Sequence, residues 1–305
     1  MDAIDSAELC CRDNSDKFAL LMSYGEKQAL TDRLTKVMES ISRCQLDPVQ
    51  EYRILCNCGV KTVENYNGRV DFDVFWDRAD LALKNAKGNQ NDAIIFFGEE
   101  LHEREVKRNE IERIMHKALS NREYRMYLQP KVDLESGRVC GAEALVRWVR
   151  PRGGMIYPDE FIPVFERNGF ILKLDQYVWE KTCQLLAGWR DEGRKIFPVS
   201  VNISRVSLYN PKIVDVICGL TEKYNIPPEW LQLELTESAY TGNPKAIKEM
   251  MEQLQKKGFS ILMDDFGSGY SSLNVLKDIA VDVLKIDMKF LDGSGDDGRS
   301  ENILA

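Results

Sequence analysis

The hydrophobic and polar positions of this chain follow two patterns, with a break near residue 98. From Tyr124 onward, short apolar runs of strand length alternate with longer segments of helical period. RMYLQPKVDL, VCGAEALVRWV, FPVSVNIS, LQLELTES, FSILMDDF and VDVLKID read as strands. PDEFIPVFERNG with LDQYVWEKTCQLLAGWRDEG, NPKIVDVICGLTEKYN and NPKAIKEMMEQLQKKG read as helices between them. Repeated βα units predict an α/β fold with a parallel sheet, either doubly wound or closed into a barrel.

Residues 1–97 read as a smaller α/β unit in the order β-α-β-α-β. Its strands are FALLMSY (Phe18–Tyr24), YRILCNCGVKTV (Tyr52–Val63) and AIIFF (Ala93–Phe97). Its first helix, Glu26–Arg43, sets Leu30, Leu34, Val37, Met38 and Ile41 at helical spacing, and its second, Val74–Gly88, stops at a glycine. Residues 98–121 are highly charged, with one apolar stripe of Ile111, Ile114, Met115 and Ala118, and predict a connecting helix with a solvated face. The second domain then spans 122–305.

Side chains alternate across a strand, and this divides the later strands into two faces. Leu231, Leu233 and Leu235 oppose Gln232, Glu234 and Thr236. Glu143, Leu145 and Arg147 oppose Ala142, Ala144 and Val146. Asn202 opposes Val201 and Ile203, and Lys285 opposes Leu284 and Ile286. A doubly wound sheet is covered by helices on both faces and wants both apolar. A barrel has an inner face whose carboxyl-end mouth is polar. Taken singly, Glu143 reads equally as an edge carboxylate, Asn202 as a turn former and Lys285 as a surface charge. Taken together with Asp264 and Asp265, one polar group per strand points to a shared mouth.

ILMDDFGSGYSSLNVLKDI, from Ile261 to Ile279, is the most informative stretch. A buried strand ends in the acid pair Asp264 and Asp265, then in a glycine-hinged turn and a helix start. Adjacent carboxylates repel unless a positive charge lies between them, and a divalent cation is the usual partner. The plainer alternative is a strand ending in a polar turn.

Charge and composition narrow the chemistry. The net charge is −8 with no long basic run, which argues against a nucleic-acid polymer as partner. The two histidines, His102 and His116, both lie on the charged helical segment, so a histidine-rich metal centre is not expected. The eight cysteines form no CxxC pair and read as reduced, mostly buried thiols of a cytoplasmic protein. An expected metal is therefore hard and oxygen-ligated. No apolar run is long enough to span a bilayer and the first residues are not a signal peptide.

At these residues the chain closely resembles the bacterial EAL domain family of cyclic di-GMP phosphodiesterases. The motifs are Gln129-Pro130 before VDL, Glu143-Ala144-Leu145 in EALVRW, VNIS with Asn202, ELTES with Glu234 and Glu237, DDFGSGYSSL from Asp264, and LKID with Lys285. The resemblance covers roughly Arg104–Ala305, with Ser268 where the family has threonine. It implies a TIM-like barrel that binds two Mg²⁺ or Mn²⁺ ions and hydrolyses cyclic di-GMP to linear pGpG. By position, Glu143, Asn202, Glu234 and Asp264 hold the first metal, and Asp264 with Asp265 serves the second. Lys285 orients the attacking water, with Asp265 and Glu237 beside it in the catalytic set. Gln129, Leu145 and Arg147 touch the dinucleotide. Homodimerisation through the barrel and an upstream sensory domain belong to the same resemblance. The alternative function is a receptor that binds cyclic di-GMP without cleaving it, or a regulatory scaffold.

The amino-terminal part resembles the later portion of a GGDEF domain. RDNSDKF, from Arg12 to Phe18, stands where that family has RxGGDEF. Asn14 and Ser15 replace both glycines and Lys17 replaces the glutamate, so cyclase activity is not expected. The EAL pattern continues beyond LKID through further strands, whereas this chain stops at GRSENILA. The expectation is a barrel lacking its last strands, with weak or no turnover by the 305 residues alone.

Overall fold

A computed structural model describes residues 5, 7–14, 16–42, 54–63, 71–87, 93–240, 244–267 and 281–287. It divides into two compact units, residues 1–107 and 108–305. In the first unit, β1 (Leu9–Asn14) and β2 (Lys17–Leu21) form an antiparallel hairpin, followed by α1 (Lys27–Ser42). Then come β3 (Cys58–Val60), α2 (Phe72–Lys87) and β4 (Ile94–Phe96), with β3 and β4 parallel. The strand β1 is absent from the sequence expectation. Only its last three residues, Arg12–Asn14, belong to the motif read in the sequence, yet Leu9 pairs with Leu21 and Asn14 with Lys17. The expected strand Tyr52–Val63 shrinks to Cys58–Val60, with Tyr52 and Arg53 outside the described residues. The thiols also differ from expectation. Among the described cysteines only Cys183 is buried, while Cys10, Cys11 and Cys140 are exposed.

The helix α3 (Glu99–Ser120) leads into the second unit, which is built on one sheet. Its elements are β5 (Tyr124–Val132), β6 (Val139–Arg150), β7 (Gly154–Ile156), α4 (Pro158–Asn168), α5 (Ile171–Asp191), β8 (Val199–Asn202), α6 (Arg205–Leu208), α7 (Ile213–Tyr224), β9 (Leu231–Thr236), α8 (Glu237–Tyr240), α9 (Pro244–Lys256), β10 (Ile261–Phe266) and β11 (Val283–Ile286). The strand order is β11-β10-β9-β8-β6-β5, with β7 pairing off β6. From β6 to β11 this path is parallel.

Two strands depart from the all-parallel expectation, β5 and the short β7, both antiparallel to β6. β5 runs antiparallel to β6, with Gln129 opposite Glu143 and Tyr124 opposite Trp148. Only Asp133–Arg138 connects them, too short for the crossover that a parallel pair requires. Asp133 closes the turn by accepting the Ser136 backbone N–H at 2.8 Å.

The two faces of the sheet have different partners. Ala142, Ala144, Val199, Val201, Leu231, Leu233, Leu235, Ile261 and Met263 lie on one face and are buried. Trp179, Cys183 and Leu186 of α5, Ile217 of α7, and Ile247, Met251 and Leu254 of α9 pack into the same cluster. A second cluster joins Tyr124, Trp148, Phe161, Phe165 and Phe170 where the β5–β6 ribbon meets α4. Trp148 is fully buried and still donates its indole N–H to Glu123 at 3.1 Å. The amphipathic pattern is thus spent on one face of the sheet, and the polar alternates of the same strands share the other.

Candidate functional site

Five of the residues expected at a shared mouth meet on that polar face. Glu143, Glu234 and Asp264 offer carboxylate oxygens that all lie within 4.8 Å of one another. The Lys285 ammonium reaches all three, with Nζ 2.9 Å from Glu143, 2.8 Å from Glu234 and 2.9 Å from Asp264. Asn202 donates its side-chain amide to Glu143 at 3.0 Å. Backbone pairing explains the convergence. Asn202 is opposite Glu234, and Asp264 is opposite Thr236, so these groups occupy neighbouring levels near the carboxyl ends of β8, β9 and β10.

Glu234 is the most enclosed of the set, with no exposed side-chain surface. Burial pushes its carboxyl upward, but hydrogen bonds from Lys131, Lys285 and Ser200 outweigh burial and hold it below the ordinary value. Lys285 is the mirror case. Partial burial opposes its charge, yet hydrogen bonds to Glu234, Glu143 and Asp264 raise it above the ordinary lysine value. Its strand is fixed at the other end by Asp282, which accepts the Ile261 backbone N–H at 2.7 Å.

The acid pair sits on a local backbone distortion. The register between β10 and β11 shifts between Met263 and Phe266, which is a bulge. Asp265 has φ 55°, in the left-handed region that side-chain-bearing residues rarely adopt. A regular strand sends adjacent residues to opposite faces, whereas a bulge re-aims a side chain. Asp265 donates its backbone N–H to the Asp264 carboxylate at 3.0 Å, fixing that side chain's orientation. Its own carboxylate is not one of the three within 4.8 Å.

The remaining expected residues lie around this centre. Gln129 stands opposite Glu143 on β5, exposed. Leu145 and Arg147 follow Glu143 at alternate positions of β6, on the same face and half-buried. Arg147 donates to the Val146 carbonyl at 2.9 Å. Glu237 does not join the three carboxylates. It is buried at the start of α8 and accepts the Gly267 backbone N–H at 3.2 Å, holding the turn after Asp264 and Asp265. Gly267 has φ 91°, which suits glycine alone. The rest of the glycine turn and the helix expected after it lie outside the described residues.

Sequence reasoning missed two residues, Lys131 and Ser200. Lys131 donates to Glu234 at 2.8 Å and to Ser200 at 2.8 Å. Both positions carried a signal. Lys131 lies two residues past Gln129, and Ser200 two before Asn202, so alternation puts each on the polar face.

The loop leaving Asn202 is clamped from α5. Trp179 donates its indole N–H to the Asn202 carbonyl at 3.0 Å. Asp175 accepts the Ser204 backbone N–H at 3.1 Å and the Ser207 hydroxyl at 2.7 Å. Burial pushes the Asp175 carboxyl up to about 6, and the two serines offset only part of that. The folded state therefore keeps a proton that the unfolded chain has released. This contribution is complete below about pH 4 and is lost as pH rises through about 6, costing about 3 kcal/mol. In Asp175→Asn that part of the pH dependence should vanish. Denaturant unfolding between pH 4 and 7.5 reads it, and equal pH slopes in parent and variant would refute it.

A divalent cation fits this donor set. Three carboxylates and one amide are hard oxygen donors from four separate strands, and the carboxylates already surround one positive centre.

Comparison with known proteins agrees with the geometry. The EAL domain profile matches residues 112–305. The bifunctional diguanylate cyclase/cyclic di-GMP phosphodiesterase MucR of Pseudomonas aeruginosa is 28% identical over 99% of this chain and 44% of its own length. The cyclic di-GMP phosphodiesterase NbdA of the same organism is 34% identical over 70% of this chain and 27% of its own length. The solved MucR phosphodiesterase in complex with cyclic di-GMP superposes with a TM-score of 0.59 at 33% identity, over 64% of this chain and 79% of that one. The chain spans less than half the length of the curated relatives it matches first. With its profile match extending over most of the chain and its acidic residues gathered where the strands end, this protein belongs to the EAL domain family.

Proposed function

We propose that this chain carries a phosphodiesterase site that opens cyclic di-GMP to linear pGpG. The observation that carries the reading is the meeting of Glu143, Glu234 and Asp264 around one cation, beside Asn202. Two Mg²⁺ or Mn²⁺ ions, when bound, supply a lowered water pKa and neutralise charge on the phosphodiester. Glu143, Asn202, Glu234 and Asp264 would hold the first and Asp264 with Asp265 the second. Lys285 then keeps a proton-donating ammonium beside the carboxylates, where it can orient a water. Gln129, Leu145 and Arg147 share the face of the acids and would touch the dinucleotide. Glu237 keeps the Gly267 turn in place. The open sheet is read as part of a TIM-like barrel in which β5 is the antiparallel member.

Residues 1–97 are read as a degenerate GGDEF-like domain with a regulatory or structural role, and residues 98–121 as its connection to the EAL domain. Two observations support this. MucR, with both activities in its name, aligns along 99% of the chain. Lys17, at the position of the signature glutamate, is ion-paired with Asp80 of α2. Homodimerisation through the barrel and an upstream sensory domain complete the reading on the resemblance alone, and a cytoplasmic setting on the absence of a CxxC pair. Among the described residues, no helix is long and apolar enough to cross a membrane.

The test is incubation with cyclic di-GMP in Mn²⁺ and in EDTA, with chromatography of the products. Slow formation of pGpG in Mn²⁺, in keeping with the weak turnover expected of these 305 residues, and its suppression by EDTA is the expected result. Lys285 also neutralises the acids without a metal, which favours a receptor as the second reading. Calorimetric binding in EDTA with no product in Mn²⁺ would establish the receptor instead.

A further inference from the structure

Glu234 meets a different lysine on each of its two oxygens. Oε2 accepts from Lys285 at 2.8 Å, on the side shared with Glu143 and Asp264. Oε1 accepts from Lys131 at 2.8 Å, and the same ammonium donates to the Ser200 hydroxyl at 2.8 Å. Lys131 approaches from β5, where it is paired opposite Gly141. Its stem crosses that glycine, since a Cβ built there would lie 3.8 Å from Lys131 Cδ. Gly141 is two residues before Glu143, so Lys131 enters from the amino-terminal side of the acids.

This arrangement leaves Glu234 one oxygen for the shared centre. Resting on the divalent-cation reading above, we infer that Lys131 is a positioning residue that reserves Oε1 and makes Glu234 a single-oxygen ligand. Two effects of Lys131 on a cation have opposite sign. Its charge repels an incoming divalent ion, so neutralising it should tighten binding. Its hydrogen bond orients a first ligand, and loss of such a partner weakens metal affinity by about 10–100-fold. Glu234 is fully buried, so without Lys131 the oxygen facing it would lose its charged donor and keep at most the Ser200 hydroxyl, and orientation outweighs repulsion.

The sign of the change is the test. Mn²⁺ affinity is measured by paramagnetic resonance of the free ion, on the whole chain, without substrate. Lys131→Met should bind Mn²⁺ about tenfold more weakly, and Lys131→Arg should recover most of the loss. Binding by Lys131→Met as tight as the parent's, or tighter, overturns the inference. Thermal melting in EDTA shows whether each variant folds. If Lys131→Met does not fold, Ser200→Ala decides, since it removes the hydroxyl bonded to both Lys131 and Glu234 and keeps every charge. A weaker Mn²⁺ affinity in Ser200→Ala supports the inference and an unchanged one overturns it. A parent chain that binds no Mn²⁺ removes the cation reading itself, and this inference with it.

Discussion

Glu143→Ala should lower cyclic di-GMP hydrolysis about a thousandfold while leaving the protein folded. Glu143 supplies one of three carboxylates in the shared centre and orients Asn202, so its loss removes one proposed ligand and misaligns another. A ligand-derived stabilisation of about 4 kcal/mol corresponds to three decades in rate. The structural cost is much smaller. Lys285 keeps Glu234 and Asp264, and Asn202 lies where water replaces the lost acceptor. A lost hydrogen bond of that kind costs about 1 kcal/mol. Product chromatography beside a melting curve separates the two. Retained hydrolysis in a folded Glu143→Ala protein would mean that the acids on the polar face are not the reacting centre.

The physics that made this site legible is strand alternation. The leucines at 231, 233 and 235 fixed which face of β9 was buried, and that placed Glu234 on the other. The same reasoning placed Glu143, Asn202 and Lys285, and the structure brings all four into hydrogen-bonding reach of one another or of a shared neighbour. Alternation is blind to two things. It does not reveal a bulge, and the conformation of Asp265 depends on backbone strain that one carboxylate beside another does not signal. It also does not reveal strand direction. The antiparallel β5 follows from a six-residue connection, which is readable, but a list of strands alone does not use it. Lys131 and Glu237 show a different limit. Each acts through a partner far away in sequence, 103 residues for Lys131 with Glu234 and 30 for Glu237 with Gly267. Alternation puts Lys131 on the polar face, but which carboxylate it meets, and which turn Glu237 holds, follows from packing alone.

Replacing Lys285 should have the reverse effect of replacing Lys131 on metal affinity, because the two lysines hold opposite sides of Glu234. The Lys285 ammonium is bonded to the same three carboxylates that a cation would use, so lysine and metal compete for them. Lys285→Met removes the competitor and its repulsion. A unit charge at this range near a protein surface is worth about 4 kcal/mol, so a gain in Mn²⁺ affinity of at least about tenfold is expected. The metal-free protein moves the other way. Three carboxylates then face one another with no cation between them, so its melting temperature should fall in EDTA and recover in Mn²⁺. Hydrolysis should nevertheless drop about 10²–10⁴-fold, as when a positioned proton donor is lost. Tighter metal with slower turnover is a combination that a purely structural lysine cannot produce. Weaker Mn²⁺ binding in Lys285→Met would show instead that Lys285 assembles the carboxylates for the cation rather than standing in its place.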